Sequence, residues 1–210
     1  MATTKKPQSA VRAGYSAHNE RSRATFLKDG LHILETFGVD ATTAQIQSVT
    51  GVSPTTLYRY FKNRETYLAE SFGSIWTPWI KNALGLASKF DDELITLVFP
   101  MRMVLNLSQS NPTLGAIMAH KDFQVESAFP EFRAAWVARY RSLVETGVLP
   151  NDQVEARVLP FEGAVLALVK SAFQGLDSER VNEGFGIALS LLNLNKSQIK
   201  KVMQVPLPHD

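Results

Sequence analysis

Apolar residues recur at helical spacing along most of this chain, and no period-two alternation takes over in its second half. Between residues 19 and 37, Phe26, Leu27, Gly30, Leu31, Leu34 and Phe37 mark one helical face, and Gly38 follows where a left-handed cap residue belongs. In "DATTAQIQSVTGV", Thr42 stands three residues before Gln45, which is capping-box spacing. A short helix is predicted there, with Ala44, Ile46 and Val49 inward and Gly51 at its end. In "GVSPTTLYRYFKNRE", Ser53 is a good cap and Pro54 falls at the first helical position, the one place in a helix where proline is favourable. A third helix is therefore expected over 54–61. Asn63 caps a fourth, with Glu65 in its first turn, where the helix dipole favours an acid.

The third helix has two unlike sides. Leu57 and Phe61, four apart, face inward with Tyr58 flanking them, which leaves Thr55, Thr56, Arg59, Tyr60 and Lys62 on the outer side. Two short helices joined by a glycine turn, the second presenting hydroxyls and cations, make a helix-turn-helix suited to a phosphate-lined groove.

The rest reads as helical over 63–88 with an interruption at Pro78, then 91–109, 112–125, 130–146, 152–175 and 178–194. The fold class is all-α, with four segments. Residues 1–17 form a flexible basic arm, read as such rather than as a transit segment. Residues 18–72 form a three-helix DNA-binding domain, 73–196 a second helical domain, and 197–210 a loosely held tail ending in prolines.

Composition narrows the classes. The chain has 210 residues, 45% hydrophobic and 20% charged, ordinary for a globular protein of one large or two small domains. Net charge is +2, distributed unevenly: residues 1–72 carry nine Lys/Arg against six Asp/Glu, residues 73–210 thirteen against fourteen. Such an imbalance matters only where the cations share a groove-reading face. The absence of cysteine removes disulfides, thiolate metal sites and cysteine nucleophiles. No run of about 18 apolar residues predicts a membrane span, and a cytoplasmic location is the default. The histidines at 18, 32, 120 and 209 have no metal-ligand spacing, and there is no glycine-rich phosphate loop or nucleophile elbow. "DDE" at 91–93 is more simply a helix start than a catalytic carboxylate pair. Neither an enzyme, a cofactor nor a metal is expected.

Residues 21–72 resemble the N-terminal domain of TetR-family transcriptional regulators. The resemblance is carried by "ILETFG" closing a first helix, "TTAQIQSVTGVS" through the second helix and turn, and "TTLYRYFKNRETYL" through the third helix into the fourth. Gln47 and Thr50 stand where the family usually has alanine, and Pro54 where it often has a cation. By position in the family motif, the resemblance implies DNA contacts from Thr42, Ser53, Thr55, Thr56, Tyr58, Tyr60 and Lys62. Arg59 is a candidate for guanine or for phosphate, and Arg21 and Arg23 are candidates for a neighbouring minor groove. It further implies a homodimer on a palindromic double-stranded operator, repression as the common mode, and a small-molecule effector that shifts the fourth helix. Dimerisation is expected through the last two long helices. Their small residues, Gly163, Ala164, Ala167, Ser171, Ala172, Gly184, Gly186 and Ala188, suit either pairing between chains or ordinary packing within one. Trp76, Trp79, Met101, Phe123, Trp136, Tyr140 and Phe161 are candidates to line an apolar effector cavity, with Arg102, His120 and Glu162 as polar anchors; the same aromatics also suit plain core. A helical scaffold for partner proteins is the competing class, and it predicts no salt-dependent binding to duplex DNA.

Overall fold

A computed structural model describes residues 8–121, 123, 129–150 and 153–208, with backbone alone for 8–21, 108 and 109. Every regular element among them is helical: α1 (Gln8–Phe37), α2 (Thr43–Thr50), α3 (Pro54–Leu57), α4 (Arg64–Ala87), α5 (Glu93–Ser110), α6 (Pro112–Ala119), α7 (Pro130–Glu145), α8 (Val154–Phe173), α9 (Ser178–Leu189) and α10 (Lys196–Met203). The chain divides into two compact units, Met1–Ile75 and Trp76–Asp210.

The first unit is built on local signals that the sequence displays. α1 ends at Gly38, whose N–H bonds the Leu34 carbonyl at 3.0 Å. Thr42 caps α2 and exchanges bonds with Gln45 as a capping box. Gly51 closes α2 at φ 67°, a left-handed conformation that costs glycine little. Ser53 caps α3, its Oγ accepting the Thr56 N–H at 3.2 Å. Asn63 caps α4 through the Thr66 N–H at 2.8 Å. Inside lie Phe26, Ile33, Leu34, Ile46, Leu57, Phe61, Tyr67, Leu68 and Phe72. Of the side predicted inward on α2, Ile46 is buried, Val49 half-buried and Ala44 exposed.

Three boundaries differ from expectation. α1 starts at Gln8, so residues 8–17, predicted as arm, are helical. Ala10, Arg12, Ala13 and Ala17 are good helix formers with no proline among them, and they extend a helix already nucleated by the packed turns at 26–37. Residues 1–7 of the predicted arm lie outside the described residues. α3 keeps α-helical form only to Leu57. Beyond it Arg59 and Tyr60 donate to carbonyls three residues back, at 3.3 and 2.9 Å, a tighter winding that brings Phe61 inward within a short span. α4 runs uninterrupted through Pro78, against the expected break. Pro78 is exposed while Trp76, Ile80 and Ala83 are buried, so packing on the opposite face holds the helix across one missing hydrogen bond.

The second unit centres on α8, whose residues Val158, Phe161, Val165, Val169 and Ala172 form a buried stripe at helical spacing. Against it pack α5, α6, α7 and α9. α6 stops at Ala119, short of the predicted 125; residues 122 and 124–128 lie outside the described ones. After α9 the chain passes through a 3-10 turn to Asn193, at φ 64°, sooner than the predicted end at 194. Of the predicted loose tail 197–210, the part up to Met203 is instead helical as α10, capped by a box between Asn195 and Gln198, and 204–208 have no helix. Val202 is buried, and the Arg102 Nη1 donates to the carbonyls of Val202 and Val205 at 2.9 and 2.6 Å. An ion pair from Lys201 to Asp92 ties α10 to the start of α5. A cation against the carbonyl end of a helix satisfies groups that are otherwise left without partners.

Candidate nucleic-acid interface and effector cavity

The outer side of α3 emerges as the residues dictate. Leu57 and Phe61 are buried, and Thr55, Arg59 and Lys62 are exposed. Thr56 is half-buried, its hydroxyl 3.1 Å from that of Ser53. Tyr60 is half-buried because its ring lies 5.1 Å from Phe26, tilted by 59°; the packing fixes the ring. Tyr58 leans on α2, sharing a small crevice with Thr43, Ile46 and Gln47. Thr42 and Ser53, both exposed, sit at the starts of α2 and α3, where backbone N–H groups favour an anion.

Two arginines have internal tasks. Arg23, a candidate for a minor groove, ion-pairs with Glu70 on α4 and lies over the Phe61 ring at 5.0 Å. The Arg21 side chain lies outside the described ones. Arg64, which no sequence motif singles out, donates from Nη1 to the carbonyls of Ala41 at 3.1 Å and Asp40 at 3.4 Å. It thereby ties the first turn of α4 to the residues that lead into the Thr42 cap. Nothing in the spacing marks Arg64, since the bond to Ala41 spans 23 positions. The α4 N-terminus is also felt by Glu65: its own backbone N–H and the Arg64 guanidinium hold the carboxyl below its usual range.

The second unit holds a partly open cavity of about 50 Å³. Trp76, Met101, Trp136 and Phe161 line it, with Met118, Phe129 and the aliphatic residues Val104, Val165 and Val169. Trp136 and Phe161 stack with centroids 5.4 Å apart at 6°, and Trp76 meets Phe129 at 4.0 Å. Trp79, Phe123 and Tyr140, also candidates, do not line it. Trp79 packs on the Trp76 ring at 5.1 Å, Phe123 on Phe129 at 5.6 Å, and buried Tyr140 donates its hydroxyl to the Leu192 carbonyl at 3.1 Å. Of the three polar anchors only Glu162 reaches the wall, paired with Arg133 by two bonds of 2.7 and 3.1 Å. Arg102 serves α10, where burial pulls its guanidinium below its usual range, and His120 ends α6.

No protein-family model and no curated protein sequence matches the chain. Solved structures do. RolR, crystallised with resorcinol, superposes with a TM-score of 0.65 over 92% of this chain and 98% of its own at 17% identity. A TetR-family transcription regulator from Marinobacter aquaeolei VT8 gives 0.61 over 84% and 97% at 21% identity. The fatty acid degradation regulator FadR from Bacillus halodurans gives 0.55 over 85% and 96% at 12% identity. The arrangement is that of an all-helical protein with an N-terminal helix-turn-helix. More narrowly, the fold is that of the TetR-family transcription regulators.

Proposed function

We propose that the protein is a ligand-responsive, DNA-binding transcriptional regulator without catalytic activity. It is a cytoplasmic repressor that binds a palindromic operator as a homodimer and leaves it when a small, largely apolar effector binds. The observation that carries this reading is the outer side of α3. Thr55, Arg59 and Lys62 stand exposed on the element that carries Tyr60, whose ring packs on Phe26, and Thr42 and Ser53 cap the starts of α2 and α3. Tyr60, Lys62, Thr42 and Ser53 meet phosphates, Thr55 and Thr56 let the backbone approach base edges, and Arg59 reads a base.

So short a reading element offers few contacts, and a twofold dimer spanning two successive major-groove half-sites doubles them. Support for the dimer comes from large apolar side chains left exposed on α8 and α9: Leu159 at 62%, Phe173 at 44% and Ile187 at 73%. The effector site is the apolar cavity in the second unit, and RolR, solved with resorcinol, is a fold neighbour that holds a small molecule. The effector acts through α4, which carries Tyr67 of the first unit and Trp76 of the cavity wall. A coupling of about 1–3 kcal/mol changes operator affinity about 5–150-fold.

The test is fluorescence anisotropy with genomic fragments recovered by the purified protein. Expected is sequence-selective duplex binding that weakens steeply as salt rises. Absence of salt-dependent duplex binding overturns the reading in favour of a helical scaffold for proteins.

A further inference from the structure

Among the described residues, the cavity wall contains one charged pair, and its geometry restricts what can enter. The Arg133 Nε bonds Glu162 Oε1 at 2.7 Å and its Nη2 bonds Oε2 at 3.1 Å, a two-pronged match of guanidinium to carboxylate. The Glu162 side chain is 12% exposed and that of Arg133 31%, so the carboxylate is the deeper partner. The rest of the wall among the described residues is almost wholly carbon and sulfur: Trp136 and Phe161 stacked, Trp76 on Phe129, and the thioethers of Met101 and Met118.

We propose that this cavity selects an uncharged, single-ring aromatic molecule, and that the Arg133–Glu162 pair acts as its charge filter. The proposal rests on the reading above that the second unit takes an effector.

The filter works by mutual neutralisation. A ligand carboxylate that took the Arg133 fork would strand Glu162 in an apolar wall with its charge uncompensated, and a ligand cation would have to displace from Glu162 a guanidinium already held by two bonds. A neutral ring disturbs neither. It meets aromatic faces and edges in stacked and T-shaped geometry, and methionine sulfur at ring edges. Size sets the other limit. A benzene-sized guest occupies a cavity of about 150 Å³, against about 50 Å³ here. One ring therefore enters with movement of Met101 and Met118, whose unbranched side chains yield more readily than the interlocked rings. Two fused rings demand displacement of the stacked aromatics themselves.

The experiment is calorimetric titration of the full chain, without DNA, by phenol, benzoate, cyclohexanol and 2-naphthol at neutral pH. Phenol is expected to bind at least tenfold more tightly than each of the others. Glu162→Gln removes the acid that occupies the Arg133 fork and should invert the preference, with benzoate overtaking phenol. The double variant Arg133→Gln/Glu162→Gln restores a neutral pair and should again favour phenol, an outcome that a merely structural tie would not produce. Should Glu162→Gln fail to fold, the wild-type and double-variant titrations still decide. Benzoate binding the wild-type chain as tightly as phenol overturns the filter, and equal binding of cyclohexanol or 2-naphthol overturns the single aromatic ring. Absence of heat from all four overturns the site. Because no DNA is present, each of these failures leaves operator binding untouched, and failure to bind operator leaves these titrations standing.

Discussion

Gly30 on α1 and Ser71 on α4 meet so closely that a Cβ on the glycine would lie 2.6 Å from the Ser71 Cβ and 2.0 Å from its hydroxyl oxygen. Ser71 is fully buried and its Oγ donates to the Tyr67 carbonyl at 2.8 Å, so it has nowhere to retreat. Gly30→Ala should therefore push α1 from α4. Overpacking of about 1–3 kcal/mol exceeds the helix-propensity gain of about 1 kcal/mol. Thermal melts should show a lower midpoint, restored in part by Ser71→Gly in the same chain. An unchanged midpoint for Gly30→Ala contradicts the packing described.

On the α3 face, hydroxyl and ring can be separated. Tyr60→Phe keeps the packing against Phe26 and removes only the phenol oxygen, so operator and random duplex should both bind more weakly with no change in melting. Lys62→Ala should behave likewise and lower the salt slope of binding by about 0.9 for each phosphate that the missing ammonium no longer neutralises. Arg59→Ala should instead relax preference at one base position, at about 1–3 kcal/mol of discrimination. Gel-shift titrations on a set of single-base operator variants separate the two patterns.

The local signals were legible in the sequence because they are local. Thr42 with Gln45, Gly38, Gly51, Ser53–Pro54 and Asn63 each act over a single helical turn, and the helix-turn-helix follows from them. The same kind of signal is present in "NKSQ" at 195–198, although the prolines at 206 and 208 point to a tail. What the sequence did not show depends on partners distant along the chain. Arg23 is taken by Glu70, Arg64 by the carbonyls at 40 and 41, and Arg102 by those at 202 and 205. Aromatic content announced an apolar interior in the second unit. Which rings face the cavity and which, like Tyr140, lie elsewhere is decided by packing that no spacing encodes.

The anchorage of α10 gives a pH dependence with a definite sign. Burial acts to raise the Asp92 carboxyl, but the Lys201 ammonium and the N–H groups of Ile95 and Leu94 outweigh it, so the folded value lies below the ordinary one. A depressed carboxyl contributes stability that is present above the unfolded value of about 3.9. That contribution is lost as pH falls through the folded value. Asp92→Asn keeps a capping side chain and loses the charge. The stability gap between wild type and variant should be largest near neutrality and close below about pH 4. Denaturant titrations at several pH values measure it, and a gap that widens on acidification contradicts the assignment.

Ile187 is where the proposed dimer is tested. It is the most exposed of the large apolar side chains on α9, at 73%, and Leu159 and Phe173 on α8 are also well out of the core. Within the chain, a Cβ at Gly184 would lie 2.6 Å from Leu168 Cδ2, so that glycine serves packing inside the second unit, whereas one at Gly186 would make only ordinary contact with Ile199 at 3.8 Å. Gly163 has open space around its Cβ position, which leaves room for a partner backbone. An isologous interface repeats each residue across the twofold axis, so Ile187→Glu introduces two like charges into one apolar patch. Sedimentation should show a monomer with unchanged helix content and melting. Operator affinity should fall by orders of magnitude because a monomer holds one half-site where the dimer holds two, while binding to an isolated half-site should match that of the wild-type monomer. A variant that remains dimeric removes α9 from the interface and leaves the exposed apolar residues of α8 to account for association alone.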